Sequence, residues 1–231
     1  MVLPTVILPG YFARWTDYIV LAESLKQQGI PTEIVPLRKR DWFPTLGGRS
    51  VVPIVRAIDA TVRETLKECK SDRVNLIGHS AGGWIARIYL GDVPYIIHGD
   101  VTATEGVWQS RDRVAALISL GTPHISQERW TKRNLDFVND NYPGAFYGDL
   151  KYVCVAGKAV YGKPWETWLA YNSYKLTCGE GNAWGDGITP IAAAHLEGAT
   201  NLTIEGVKHS PQSGFWYGSP EAIAAWIDYL A

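Results

Sequence analysis

Short runs of apolar, often β-branched residues recur along this chain, and between them lie segments whose apolar positions return every three or four residues. The first pattern suits strands buried on both faces, and the second suits helices with one face on a core. Strands are predicted at Val2–Leu8, Thr32–Pro36, Arg73–Ile77, Val114–Leu120, Lys151–Val155 and Asn201–Glu205. Helices are predicted at about Trp15–Gln28, Val52–Lys70, Ala81–Leu90, Ile188–His195 and Pro220–Leu230, the first stopped by Gly29 and Pro31. Such alternation implies an α/β class: a mostly parallel sheet of about six strands with helices on both faces.

Two stretches break the rhythm. Residues 125–150 and 157–184 are longer than ordinary connections and rich in Trp, Tyr, Asn and Gly. Both follow strands, so they should leave the sheet at its carboxyl edge, where lids and pocket walls are found.

The 231 residues suit one domain, 1–231. A net charge of -1 leaves no basic face for nucleic acid. Cys69, Cys154 and Cys178 are an odd count without metal-ligand spacing, which argues against a disulfide framework or a metal site and for a reducing compartment. The apolar start, Val2–Leu8, contains a proline, is far too short for a membrane span and has neither the basic n-region nor the Ala-x-Ala cleavage site of a secretion signal, and no other run is long enough to span a bilayer. A cytoplasmic protein without a transmembrane segment is expected, with at most transient contact with a membrane surface.

The chemistry concentrates at Gly78-His79-Ser80-Ala81-Gly82-Gly83, between the strand ending at Ile77 and the helix starting at Ala81. Gly-x-Ser-x-Gly arises by chance in many chains, but between a strand and a helix it is a nucleophile elbow. The tight turn strains the serine backbone and lifts its hydroxyl above the sheet, while Gly78 and Gly82 let strand and helix pass. The Ala81 N–H, at the positive end of the new helix, points where an oxyanion would form.

A neutral serine needs a base, and the base needs an acid to orient it. Among five histidines, His79 should diverge from its neighbour's hydroxyl, and His98 and His195 lie in a connection and on a helix. His124 and His209 each follow a strand. Where a serine sits on such an elbow the chain order is nucleophile, acid, histidine, which favours His209 and leaves His124 as a pocket-floor or loop-ordering residue. For the acid, Asp149 falls at the amino edge of the sheet and Asp100 in a connection. Asp186, in Gly185-Asp186-Gly187-Ile188-Thr189-Pro190, follows the fifth strand and its insertion, with Glu180 as the fallback. A second oxyanion donor should come from the loop after the first strand, Leu8-Pro9-Gly10-Tyr11-Phe12, with the Tyr11 N–H preferred to that of Phe12.

These stretches, with Leu120-Gly121-Thr122-Pro123-His124 and with Ala192-Ala193-Ala194 and Gly198-Ala199 after the Asp186 segment, resemble in order the signatures of the lipase-like branch of the α/β-hydrolases. That branch includes bacterial triacylglycerol lipases and GPI inositol-deacylase-like proteins. The resemblance spans nearly the whole chain. It implies the α/β-hydrolase fold, a Ser80-Asp186-His209 triad with Tyr11 and Ala81 as oxyanion donors, no cofactor, and ester substrates with acyl chains. It departs at Pro9, where bacterial lipases of this type commonly carry histidine.

The expected activity is hydrolysis of a small-molecule or lipid ester through an acyl-enzyme. An acyltransferase using the same intermediate, or a non-catalytic binding module on the same fold, are the alternatives. Ten Trp and twelve Tyr could line an acyl pocket, and Phe12, Trp84, Trp184 and Phe215 are the expected substrate-binding residues.

Overall fold

The computed structural model describes residues 2–231, so residue 1 of the expected 1–231 domain lies outside it. Eight strands follow in chain order: β1 Thr5–Leu8, β2 Thr32–Ile34, β3 Val74–His79, β4 Val114–Leu120, β5 Lys151–Lys158, β6 Val160–Tyr161, β7 Trp184–Gly185 and β8 Thr200–Glu205. Six of them form one sheet in the order β2-β1-β3-β4-β5-β8, every neighbouring pair parallel. The remaining two, β6 and β7, pair antiparallel as a short ribbon.

Seven α-helices surround the sheet: α1 Ile19–Gln27, α2 Val52–Cys69, α3 Ala81–Leu90, α4 Arg129–Asn141, α5 Trp168–Cys178, α6 Ile191–Ala194 and α7 Pro220–Ile223. Side chains alternate across each strand and so build two cores. Val6, Leu8, Leu76 and Leu117 face a cluster with Ile58 and Val62 of α2 and Ile85 and Tyr89 of α3. Ile7, Ile77, Ile118 and Val153 face the opposite cluster, with Leu21 and Leu25 of α1 and with Ile223 and Trp226. Strands covered on both faces carry continuous apolar sequence, and this is why β3 and β4 are buried at every residue.

The strand order reverses once. From β1 the chain steps outward to β2, then returns past β1 to β3, so the carboxyl ends of β1 and β3 lie side by side where the direction changes, with Leu8 in register with Gly78. In open parallel sheets this is the place where a crevice forms. It brings the loop after β1 next to the turn after β3.

The predicted elements stand with shifted ends. A 3-10 turn, Trp15–Tyr18, precedes α1. The predicted Ile188–His195 helix contracts to α6, because extended Pro190 caps its start. The last predicted helix breaks after Ile223 and resumes as a 3-10 turn at Ile227–Tyr229. The larger correction concerns the two insertions, which are not open loops: 125–150 contains α4, and 157–184 contains β6 and α5. Among the described residues, no helix is long and apolar enough to cross a membrane.

Candidate active site

Strand β3 ends at His79 and α3 begins at Ala81, so Ser80 alone makes the turn, at φ 51° and ψ -123°. An L-residue other than glycine rarely adopts a positive φ, and here the fold on both sides enforces it. α3 is buried at all ten of its residues, which anchors the elbow from behind. Ser80 itself is half-buried and opens into a cleft of about 190 Å³.

His209 reaches Ser80 from the loop after β8. Its Nε2 lies 3.0 Å from the Ser80 Oγ, and its Nδ1 lies 2.7 Å from the Asp186 Oδ2. A carboxylate only accepts, so Nδ1 carries the ring proton and Nε2 is free to accept from the serine hydroxyl. The loop is held by its backbone as well, since the His209 N–H donates to the Asp186 carbonyl at 3.0 Å.

Asp186 follows β7 and is fully buried as a side chain. Four donors converge on it. The His209 Nδ1–H and the Tyr217 hydroxyl reach Oδ2, each at 2.7 Å, and the Ile188 and Thr189 backbone N–H groups reach Oδ1 at 2.9 and 2.7 Å. Every acceptor position of the carboxylate is filled, and a protonated form would have to break one of these bonds. Burial pushes the pKa up, but the charge and hydrogen bond of His209, with the bonds from Thr189 and Tyr217, hold it below the ordinary carboxylate value. Gly121, at φ +57°, makes room for the cluster: a Cβ there would meet Asp186 Oδ2 and the Tyr217 ring at 2.7 Å.

The loop after β1 forms the near wall of the cleft. It turns at Gly10–Ala13, closed by an Ala13 N–H bond to the Gly10 carbonyl at 3.0 Å, with Phe12 at φ 57°. Among the described residues the Tyr11, Phe12 and Ala81 amides have no hydrogen-bond acceptor. Asp17, Lys39 and Ser210–Gln212 complete the rim, and Tyr18 and His79 the floor.

Not every expected residue is here. Phe12 lines the cleft, but Trp84 lies in the α2–α3 core at 2% exposure. α3 has no solvent face, and its aromatic side chain is consumed by packing. Trp184 stands outside on β7, against the Tyr161 ring and under the Lys158 ammonium. Phe215 lies over Gly206. Nor does either insertion contribute a lining residue: Trp165 and Trp168 are exposed away from the cleft, and α4 packs against α3.

His124 is buried beside Cys154, its Nε2 3.4 Å from the sulfur, while its backbone ties to Ala193 and Asn139. His98 bonds Asn134, and His195 lies against Leu202 and Thr203. Asp149 pairs with Arg111, and Glu180 accepts from the Asn182 N–H. None of these groups lines the cleft.

Two tyrosines escaped the sequence reading. The Tyr217 hydroxyl bridges Asp186 and the Gly157 N–H, and that of Tyr18 bridges the Gly10 N–H and His79. Nothing in their local sequence marks them, because His79, Gly157 and Asp186 are distant along the chain from the tyrosines they meet.

Burial, with His209 nearby, pushes the His79 pKa down to about 3, and burial beside Arg87 and His195 pushes that of His124 well below its ordinary value. Both are neutral in the fold and bind a proton near pH 6.5 when unfolded. The unfolded chain therefore takes up more protons below that pH, and stability is present above it and lost as the pH falls. Each histidine contributes a slope approaching about 1.4 kcal/mol per pH unit. Urea unfolding at pH 7.5 and pH 5.0 checks this; equal stability at both would mean that the histidines are charged in the native state.

No family model matches the sequence, and no curated protein matches it. Solved structures do. The mature form of Bacillus licheniformis lipase BlEst2 aligns over 100% of this chain and 92% of its own at TM-score 0.66 and 18% identity. A Xanthomonas campestris protein ascribed to the alpha/beta superfamily of hydrolases aligns over 98% of both chains at TM-score 0.52 and 16% identity. This is the α/β-hydrolase fold. An esterase from Exiguobacterium antarcticum shares it over 99% of this chain and 91% of its own, at TM-score 0.53 and 13% identity. At such identities the likeness lies in the α/β-hydrolase fold, and the chemistry must be argued from the residues at the cleft.

Proposed function

We propose that the protein hydrolyses carboxylic esters through Ser80, His209 and Asp186. The observation that carries this reading is the continuous hydrogen-bond chain from Ser80 Oγ through His209 to Asp186, built on a strained turn that opens into a cleft. Ser80 Oγ attacks the acyl carbon as its proton passes to His209 Nε2, and the buried Asp186 carboxylate stabilises the imidazolium. The negative oxygen sits between the Ala81 and Tyr11 amides, with the Phe12 amide the alternative second donor. Each such donor is worth roughly 3 kcal/mol in the transition state. Collapse expels the alcohol, which takes the proton from His209. Water, activated by the same base, then adds to the acyl-enzyme, and the acid leaves with Ser80 restored. Lipase and esterase neighbours support an ester as substrate.

The cleft favours short esters. Its volume of about 190 Å³ falls below the roughly 300 Å³ where drug-sized sites begin, and its rim carries Lys39, Asp17 and Gln212 instead of the tryptophans. A fluorophosphonate is expected to add once, at Ser80. Across p-nitrophenyl esters, kcat/KM is expected to peak between acetate and butyrate and to fall at least about tenfold by octanoate, the size of effect that a few misplaced methylenes produce. An optimum at long chains would overturn the short-ester reading, and absence of label on Ser80 would overturn the mechanism.

A further inference from the structure

One buried hydrogen-bond chain at the cleft lies outside the triad. The Gly10 N–H donates to the Tyr18 hydroxyl oxygen at 2.9 Å, that hydroxyl lies 2.7 Å from His79 Nδ1, and His79 Nε2 lies 2.9 Å from the His209 carbonyl oxygen. Its two ends are backbone groups of fixed character, a donor at Gly10 and an acceptor at His209. They dictate the direction of every link: Tyr18 O–H donates to Nδ1, and Nε2–H donates to the carbonyl. No proton is left over and no polar atom in the chain is unmatched.

We propose that Tyr18 and His79 are positioning residues that hold the oxyanion loop and the His209 loop at fixed places on the elbow. The inference rests on Ser80, His209 and Asp186 being the catalytic set. Three segments far apart in sequence meet through it: the loop after β1, the turn that carries Ser80, and the loop after β8. His79 is bonded covalently to Ser80, so the ring refers both loops to the nucleophile itself. Both residues are buried, Tyr18 at 0% and His79 at 3% exposure, and water does not compete for their bonds. Packing keeps the rings in place: Trp216 stands edge-on to Tyr18 and to His79, at centroid distances of 5.9 and 5.8 Å, and the His209 ring lies 4.9 Å from that of His79. The charged and titratable groups that face His79 are His209 and Asp186, with Tyr18 and Tyr217 beside the ring. Burial favours the neutral ring that the chain requires, and a positive charge formed on the neighbouring His209 would favour it further.

Tyr18→Phe removes one oxygen and leaves the ring packing. It is expected to lower kcat by about ten- to a hundredfold, the cost of a small misplacement of reacting groups, with KM within about twofold. Fluorophosphonate labelling of Ser80 should slow by a similar factor. His79→Phe should lose at least as much, and His79→Gln should recover part, because its amide N–H can reach the His209 carbonyl. The double variant Tyr18→Phe/His79→Phe should be no worse than the poorer single, since both break one chain. A folded Tyr18→Phe protein with kcat within twofold of the parent, or losses that multiply in the double variant, would overturn the proposal. Should Tyr18→Phe not fold, the comparison of His79→Gln with His79→Phe decides, and equal activity of the two overturns it. Ser80→Ala serves as the control: if it keeps turnover, the catalytic reading itself fails, whereas an inactive Ser80→Ala beside a fully active Tyr18→Phe sinks the positioning role alone.

Discussion

Ser80→Ala is expected to fold as the parent does and to lose ester turnover on the order of 10⁶-fold. The side chain makes no bond that the fold depends on, since among the described residues its partner is His209 Nε2 at the cleft surface. What remains is binding and the oxyanion donors, which alone give roughly 10³- to 10⁴-fold over water. Asp186→Asn should cost about 10⁴-fold, by analogy with the same change in other triads. The carboxylate accepts four donors, and an amide can present its oxygen to only one pair. Turned one way its NH₂ faces His209 and Tyr217; turned the other it faces the Ile188 and Thr189 amides. Steady-state kinetics on p-nitrophenyl acetate, with circular dichroism to verify folding, measure both. Turnover by Ser80→Ala within tenfold of the parent would remove the serine from the mechanism.

The second large effect is on the fold. Gly78→Ala should destabilise the protein by at least about 3 kcal/mol or abolish soluble expression. Its Cβ would stand 2.5 Å from the Gly83 Cα and 2.6 Å from the Gly83 nitrogen, which are backbone atoms that cannot rotate away. Relief would require α3 to move off β3, yet α3 is walled in on every side. Gly148→Ala is the matched control, because nothing lies within 4 Å of a Cβ there. Urea unfolding of the pair measures the difference. Equal midpoints would mean that the strand-to-helix passage is looser than its geometry states.

Much of this was legible in the order of residue types. The inner strands β1, β3, β4 and β5, covered on both faces, announce themselves as continuous apolar runs, and the edge strand β8 by its alternation, so the six strands of the sheet could be placed to within a few residues. The hydrogen-bonded set Ser80, His209 and Asp186 follows from chain order and from the rule that the carboxyl ends of parallel strands share an edge. The helix α4 hid because Asn134, Asp136, Asn139, Asp140 and Asn141 read as loop, and its buried stripe is narrow. In α5 the pattern runs against burial: Trp168, Leu169 and Leu176 are exposed while Ala170 and Tyr174 are buried. The aromatic pocket failed for a related reason. A tryptophan's position in the chain does not say whether it packs, as Trp84 does, or stands in solvent, as Trp165 does at 94% exposure. Tyr18 and Tyr217 act through partners 61 and 31 residues away, a relation that exists only after folding.

The elbow's helix has no solvent face, and that divides the site by local stability. Ser80 is attached to a strand and a helix that are buried at every residue, whereas His209 and Ser210–Gln212 belong to a partly exposed loop. Fluctuations that fray this loop cost far less free energy than those that open β3 and α3. On the proposed mechanism, the bonds that fasten His209 to Asp186 and His79 carry the site's resistance to such fraying, and ester turnover is expected to be lost before the sheet unfolds.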